Sequence, residues 1–385
     1  MKKVVIVSAQ RTPVGKFRGK LSRYSAVELG TFALKSAIDK IQINPTQIQN
    51  VIFGNVIQSG SGQNPARQIG INSGVPYKTP AMTVNEVCGS GLKSIILGKQ
   101  LIQLGEAEVV AVGGIESMTN APELIFKKDT APVKSFMHDG LTDVFNQIPM
   151  GLTAERIAEK YEVSRVDQDE FALNSHLKAH EAIQAGKFDK EIVPLEDTNG
   201  EMMNADELVR PESNMEDLGS LKTIFKEDGT ITAGNASALS DGASALILMD
   251  EDYAKEHNYT ILATLGEHSE IGCDPLYMGY APFYAVEALL NKVNKTIEDI
   301  DLVEMTEAFS AQSIPVKKNL NIPDEIFNIY GGAIALGHPL GSTGSRLVTT
   351  LSYALHQENK QTGIATACIG GGLGIALMIE RGADQ

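Results

Sequence analysis

Tryptophan is absent, there are only three cysteines, and neither a basic cluster nor a long apolar run occurs anywhere in the 385 residues. Each shortage excludes something. A bilayer-spanning helix needs about 20 predominantly apolar residues in a row; no such run occurs although 43% of the chain is apolar, so no membrane partner is expected. The opening Met1-Lys-Lys-Val-Val-Ile-Val-Ser-Ala-Gln-Arg-Thr is too short for a secretory core and reads as a first buried strand, with no Arg-rich leader ahead of it. Cys88, Cys273 and Cys368 are odd in number, far apart and without a CxxC pair, which argues against a disulfide framework or a metal site. A reducing, cytoplasmic location is expected. The net charge of -15 disfavours nucleic acid as a partner. An anionic small molecule would then rely on helix N-termini or single basic residues.

What is present is organised around Val84-Asn-Glu-Val-Cys-Gly-Ser-Gly-Leu-Lys-Ser-Ile-Ile-Leu97. Leu92, Ile95, Ile96 and Leu101 recur at helical spacing, and Gly89 and Gly91 allow a tight turn just before them. Cys88 is thereby expected at a helix N-terminus, where cysteine pKa values fall to roughly 3.5–7.5 and the thiol becomes a nucleophile. A buried, inert cysteine is the plainer alternative.

Around it the pattern alternates. Residues 4–7 read as a strand, 25–41 as a helix capped by Ser25, 51–56 as a strand, and 107–112 as an apolar strand stopping at Gly113-Gly114. Continuous apolar strands between helices predict an α/β fold, a mixed and mainly parallel sheet covered on both faces. From 115 to 239 the alternation lapses, with helices at 153–161 and 166–185, so an inserted loop domain is expected there. The last third repeats the first: helix 281–293, a strand ending at Met305, and strand 363–368 before Gly370-Gly-Gly372. The expected organisation is a duplicated one. Residues 1-114 plus 240-260 form the N-terminal half, 115-239 the loop domain, and 261-385 the C-terminal half.

Two further glycine-rich turns carry chemistry. In Tyr330-Gly-Gly-Ala-Ile-Ala-Leu-Gly-His-Pro-Leu-Gly-Ser-Thr-Gly344, His338 is held between Gly337 and Pro339 ahead of a helix read over 346–356. In Ala365-Thr-Ala-Cys-Ile-Gly-Gly-Gly-Leu-Gly374, Cys368 ends a buried strand. Jointly these turns supply a nucleophile, a base and a second thiol at the strand ends where α/β proteins place their sites. His138, His176, His180, His257, His268 and His356 read as surface or helix residues without a role.

The motifs Ser8-Ala-Gln-Arg-Thr-Pro-Val-Gly15, Asn85-Glu-Val-Cys-Gly-Ser-Gly91, Gly113-Gly-Ile-Glu-Ser-Met118, Thr232-Ala-Gly-Asn-Ala-Ser237, Ser240-Asp-Gly-Ala243, Glu307-Ala-Phe309, Gly331-Gly-Ala-Ile-Ala-Leu-Gly-His-Pro339 and Cys368-Ile-Gly-Gly-Gly372 occur in that order. So ordered, they resemble the thiolase family over essentially the whole chain, and in length and loop pattern the biosynthetic acetyl-CoA acetyltransferase branch. The resemblance implies that Cys88 attacks an acyl carbonyl, His338 takes its proton, and Cys368 serves as acid or base at the second substrate. It implies one oxyanion hole from His338 and a water held by a neighbouring side chain, and another from the backbone N–H groups of Cys88 and Gly370. It implies that Ser237 bonds pantetheine, that Leu141, Met150, Phe225, Ala233, Leu239, Met278, Ala308 and Phe309 line its tunnel, and that Arg210 lies along the adenine. Acetyl-CoA, CoA and acetoacetyl-CoA are then substrates and products, with no separate cofactor and no metal. A homo-oligomer, dimer or tetramer, is implied, with 120–139 as a contact loop.

Two positions depart from the family pattern. Thr306 stands where the water-holding residue is usually Asn, and Pro149 where His usually precedes Met-Gly. Thr can still hold one water. The alternatives are a degradative 3-ketoacyl-CoA thiolase acting on longer chains, a Cys–His hydrolase, and a non-catalytic CoA-binding protein.

Overall fold

Strand β1 (Val4–Arg11) is buried along its whole length, and its opening Val-Val-Ile-Val is the apolar run that marks it in the sequence. The structure, a computed structural model, describes residues 2–128 and 131–382. Helix α1 (Ala26–Lys40) follows, with Ser25 and Glu28 in a reciprocal capping box. Then come β2 (Asn50–Gly54), β3 (Ala81–Val84), α2 (Ser90–Gln103) and β4 (Val109–Ser117). The long segment before the next sheet strand holds α3 (Met150–Lys160) and α4 (Arg165–Gln184), and its strands are only two residues each. After it run β5 (Ser240–Asp250), β6 (Ala263–Gly272), α5 (Ala281–Val293), β7 (Leu302–Met305), α6 (Ser310–Asn319), α7 (Leu340–Gln357), β8 (Thr362–Ile369) and β9 (Leu373–Arg381).

The duplication is visible in the pairing. Strand order is β7-β8-β9-β6-β1-β5-β4-β2-β3, with Gly15–Lys16 as a tenth strand on β5. Within it, β6, β7, β8 and β9 repeat β1, β2, β4 and β5: β2 runs parallel to β4 as β7 does to β8, while β5 and β9 return antiparallel. The two sets join where Val5 faces Thr264 and Ile6 faces Ala263, making one continuous sheet. Helix α1 covers one half and α5 the other, while α2 and α7 pack against each other between them.

That middle layer has an unusual composition. Every residue of α7 from Leu340 through Leu355 is buried, yet many are polar. Several of their hydroxyls are satisfied within the helix: Thr343 donates to Pro339 O, Ser345 to Ser342 O, Thr349 to Ser345 O and Ser352 to Val348 O, while Thr350 donates to Glu191 and Tyr353 to Ala9 O. The backbones of α2 and α7 nearly touch. A Cβ added to Gly91 would lie 2.5 Å from the Ser345 nitrogen, and one on Gly344 would lie 2.4 Å from that of Leu92.

Two boundaries differ from the sequence reading for the same reason. Strand β4 continues through Gly113 and Gly114 because these glycines admit neighbours: a Cβ on Gly114 would meet Gly341 O at 2.0 Å. Helix α7 begins at Leu340, not 346, its glycines serving close packing rather than a turn. The loop segment is tied to β1 by Arg11, whose buried guanidinium donates to Glu191 at 2.6 Å and to Asp206 at 2.7 and 2.9 Å. Of the expected contact loop, Asp129 and Thr130 lie outside the described residues; Ile125, Phe126 and Val133 within it are exposed.

Overpacking a filled core costs about 1–3 kcal/mol, occasionally more. Gly91→Ala should therefore lower the melting temperature by several degrees, whereas Gly219→Ala, whose Cβ meets nothing within 4 Å, should not. Calorimetry of the two variants checks this.

Candidate active site

Cys88 sits on a strained turn. Val87 before it has φ +45°, a left-handed conformation that a β-branched residue adopts only when its surroundings force it. Ser90 supplies the force: its Oγ accepts from Glu86 N–H at 2.8 Å and donates to Val87 O at 2.6 Å. The helix starts at Ser90 with Gly89 as cap, so Cys88 lies ahead of the first turn rather than in it. Burial pushes its thiol up to about 12, the Gly370 N–H pulls the other way, and Glu116 adds to the rise. The expected resting thiolate is thus overturned, because desolvation outweighs the backbone donors.

His338 arrives from the other half of the chain. Gly337, at φ +99°, turns the backbone, and the His338 N–H donates to Ser240 Oγ at 3.1 Å. Its Nδ1 lies 2.6 Å from Thr343 Oγ1, and that hydroxyl gives its own hydrogen to Pro339 O. Thr343 therefore accepts, Nδ1 carries the hydrogen, and Nε2 keeps a lone pair. Nε2 is buried without a hydrogen-bond partner among the described residues. Burial, with the Arg346 cation, pulls the imidazole down to about 3, so it is neutral. Leu340, two residues on, packs in one apolar cluster with Cys88, Met118 and Phe136.

Cys368 completes the group. It is 1% exposed, and its S–H donates to Gln312 Oε1 at 3.1 Å. Burial pushes its thiol up, and the nearby Cys88 sulfur adds to the rise. Met150, Met278, Ala308 and Phe309 pack around it. Thr306 is buried, and its Oγ1 has no partner among the described residues.

The structure brings most of the expected lining together. Leu141 and Leu239 border the Cys88 cluster, Phe225 meets Phe309 edge-on at 6.4 Å, and Ser237 N–H donates to Ala308 O at 2.9 Å. Arg210 and Ala233 are solvent-exposed and belong to neither cluster. Pro149 caps α3 and leads into Met150. A cavity of about 540 Å³ opens beside the Gly370 turn, lined by Val56, Asn85, Val87, His138 and Met150 among others.

Three residues escaped the sequence reading. His138 lines that cavity, although it was set aside as a surface residue. His176 is buried, and its Nδ1 accepts from Arg210 N–H at 3.1 Å. Gln312 carries no motif; its place one turn after Thr306-Glu-Ala-Phe309 was the available signal.

The family model for the thiolase N-terminal domain matches residues 4–252, and that for the C-terminal domain matches residues 259–381. The chain belongs to the thiolase family. This thiolase is accordingly an acyltransferase. It is 47% identical to a probable acetyl-CoA acyltransferase of Staphylococcus aureus (strain COL) over 392 residues, covering 99% of this chain and all of that one. Human mitochondrial 3-ketoacyl-CoA thiolase superposes with a TM-score of 0.96 at 41% identity, covering 99% of each chain. The same enzyme in complex with CoA gives 0.95 at 41% identity, covering 99% of this chain and 98% of that one. Bacillus anthracis acetyl-CoA acetyltransferase gives 0.96 at 38% identity, again over 99% of each.

The depressed imidazoles make stability fall with acid. Burial holds His338 near 3 and His176 near 4, against 6.5 in the unfolded chain, so below pH 6.5 the unfolded state gains protons that the folded state refuses. Each imidazole then removes about 1.4 kcal/mol per pH unit until its folded value is reached. Raised carboxyls such as Glu116, pushed up to about 7, act in the opposite sense, so the check is a comparison: from pH 7 to pH 5 the melting temperature of the wild type should fall relative to that of His176→Asn.

Proposed function

We propose that this thiolase is an acetyl-CoA C-acetyltransferase, joining two acetyl-CoA into acetoacetyl-CoA and CoA by a reversible Claisen condensation through an acetyl-cysteine. The observation that carries the reading is a sulfur, Cys88, under the Gly370 N–H, with a second thiol close by and a neutral imidazole holding a free lone pair.

In this reading His338 Nε2 removes the Cys88 proton as the sulfur attacks the acetyl carbonyl, because neither a thiolate nor an imidazolium is stable there alone. The developing oxyanion meets the Cys88 and Gly370 N–H groups. Collapse expels the CoA sulfur, which takes the Cys368 proton. The Cys368 thiolate then removes a proton from the methyl carbon of the second acetyl-CoA, and the enolate oxygen is held by protonated His338 and a water on Thr306. The carbanion attacks acetyl-Cys88, acetoacetyl-CoA leaves, and His338 returns its proton to Cys88. The CoA-bound relative supports CoA thioesters as the substrates. In this reading Met150 and Val87, which line the cavity beside Gly370, bound the acyl group. The cavity beyond favours the second reading, a degradative thiolase taking longer 3-ketoacyl-CoAs. A homodimer or homotetramer is part of the proposal on family resemblance, and a cytoplasmic location on the three free cysteines.

Incubation with acetyl-CoA should add one acetyl group to Cys88 by intact mass and peptide mapping, and Cys88→Ser should lose turnover while keeping CoA binding; residual wild-type turnover in that variant would refute the mechanism. Thiolysis should be faster with acetoacetyl-CoA than with a long 3-ketoacyl-CoA, and equal rates would favour the degradative reading. Thr306→Val should lower kcat for condensation by about a hundredfold, the usual loss of an oxyanion donor, while Thr306→Asn should retain it.

A further inference from the structure

Gln312 is fully buried on the first turn of α6, and its side-chain amide is held in one orientation. Its Nε2 donates to Ser313 Oγ at 2.8 Å and to Thr306 O at 3.4 Å. Ser313 Oγ spends its own hydrogen on Phe309 O at 3.0 Å, so it can only accept from Gln312, and the Thr306 carbonyl can only accept as well. A flipped amide would set Oε1 against both. The atom offered to Cys368 is therefore the oxygen, and the sulfur lies 3.1 Å from it. Gly279 leaves room for this placement: a Cβ there would lie 2.8 Å from Gln312 Cβ.

An oxygen that can only accept rewards the thiol and opposes the thiolate. The other titratable groups bearing on Cys368 are the thiols of Cys88 and Cys273, and the side chains packed around it, Met150, Met278, Ala308 and Phe309, carry no charge. We propose that Gln312 is a positioning residue that keeps Cys368 protonated at rest and makes its thiolate, once formed, a stronger base. This rests on the reading of Cys368 as acid and then base. The hydrogen bond gives the proton a resting place, and rotation of the S–H about Cβ–Sγ delivers it to the departing CoA sulfur. The thiolate left behind faces a lone pair rather than a donor, and so is driven to take the α-proton of the next acetyl-CoA. A donor in that position would have produced a stable, inert thiolate.

Two substitutions should act in opposite senses. Gln312→Met keeps the length and removes the acceptor; Gln312→Glu keeps the acceptor and adds charge. In a Cys88→Ser background, the iodoacetamide alkylation rate of Cys368, read by peptide mass spectrometry from pH 7 to pH 10, reports its thiolate fraction. The rate at pH 8 should rise about tenfold in Gln312→Met and fall about tenfold in Gln312→Glu. A packing role alone would shift both variants the same way, and either that outcome or an unchanged profile overturns the proposal. If Gln312→Met does not fold, the slowing in Gln312→Glu decides alone. Failure of wild-type Cys88 to acetylate would refute the proposed function instead, while the alkylation profile would still be readable.

Discussion

Two helix backbones can meet only where side chains are missing, and the meeting of α2 with α7 is the contact on which the site depends. Helix α2 begins just after Cys88 and α7 just after His338, so the distance between their first turns sets the distance between thiol and imidazole. Gly91, Gly114, Gly341 and Gly344 allow the approach. Glu116 fixes it: its buried carboxylate accepts from Asn55 Nδ2 at 2.9 Å, Val56 N–H at 3.2 Å, Ile57 N–H at 3.1 Å and Gly341 N–H at 2.9 Å. One side chain thus joins the end of β2, the end of β4 and the start of α7. These donors oppose the burial that pushes its carboxyl up to about 7.

The site so assembled holds its reacting groups neutral. Burial raises both thiols and lowers the imidazole, which leaves acids that keep their protons and a base that has none. Charge then exists only during transfer, when a nearby donor or acceptor can answer it. Beneath the site, Arg346 and Glu304 form a buried pair at 3.6 Å, and that cation faces His338 more than any anion does. The chain's net charge of -15 bears little on this, because charges on the solvated surface are screened by water and salt over about 10 Å, while the buried groups act on one another at close range.

The duplicated architecture was legible because buried strands write themselves as apolar runs, and 51–56 and 363–368 both coincide with observed strands to within two residues at every end. The site turns were legible because glycine beside Cys or His is rare except where backbone must bend or approach. What escaped has one physical cause. A residue defined by what it contacts across the fold leaves no periodic trace, and so Gln312 and His176 looked ordinary. The same cause misled the reading of Cys88: helix position is written in sequence, but desolvation comes from residues of distant segments and reverses the sign. The glycines of β4 read as a strand stop and those of α7 as part of a turn, yet both sets are contact points.

The buried middle layer constrains the order of synthesis. The sheet of the first half lacks β5 until the chain has passed residue 240, and the inner face of α2 stays uncovered until α7 is made, near the end. A nascent chain must therefore carry an exposed apolar surface through most of its translation, with most of its tertiary contacts made between distant segments. Such exposure makes the emerging chain prone to aggregation, and loss of α7 would uncover the helix layer of the half that was made first.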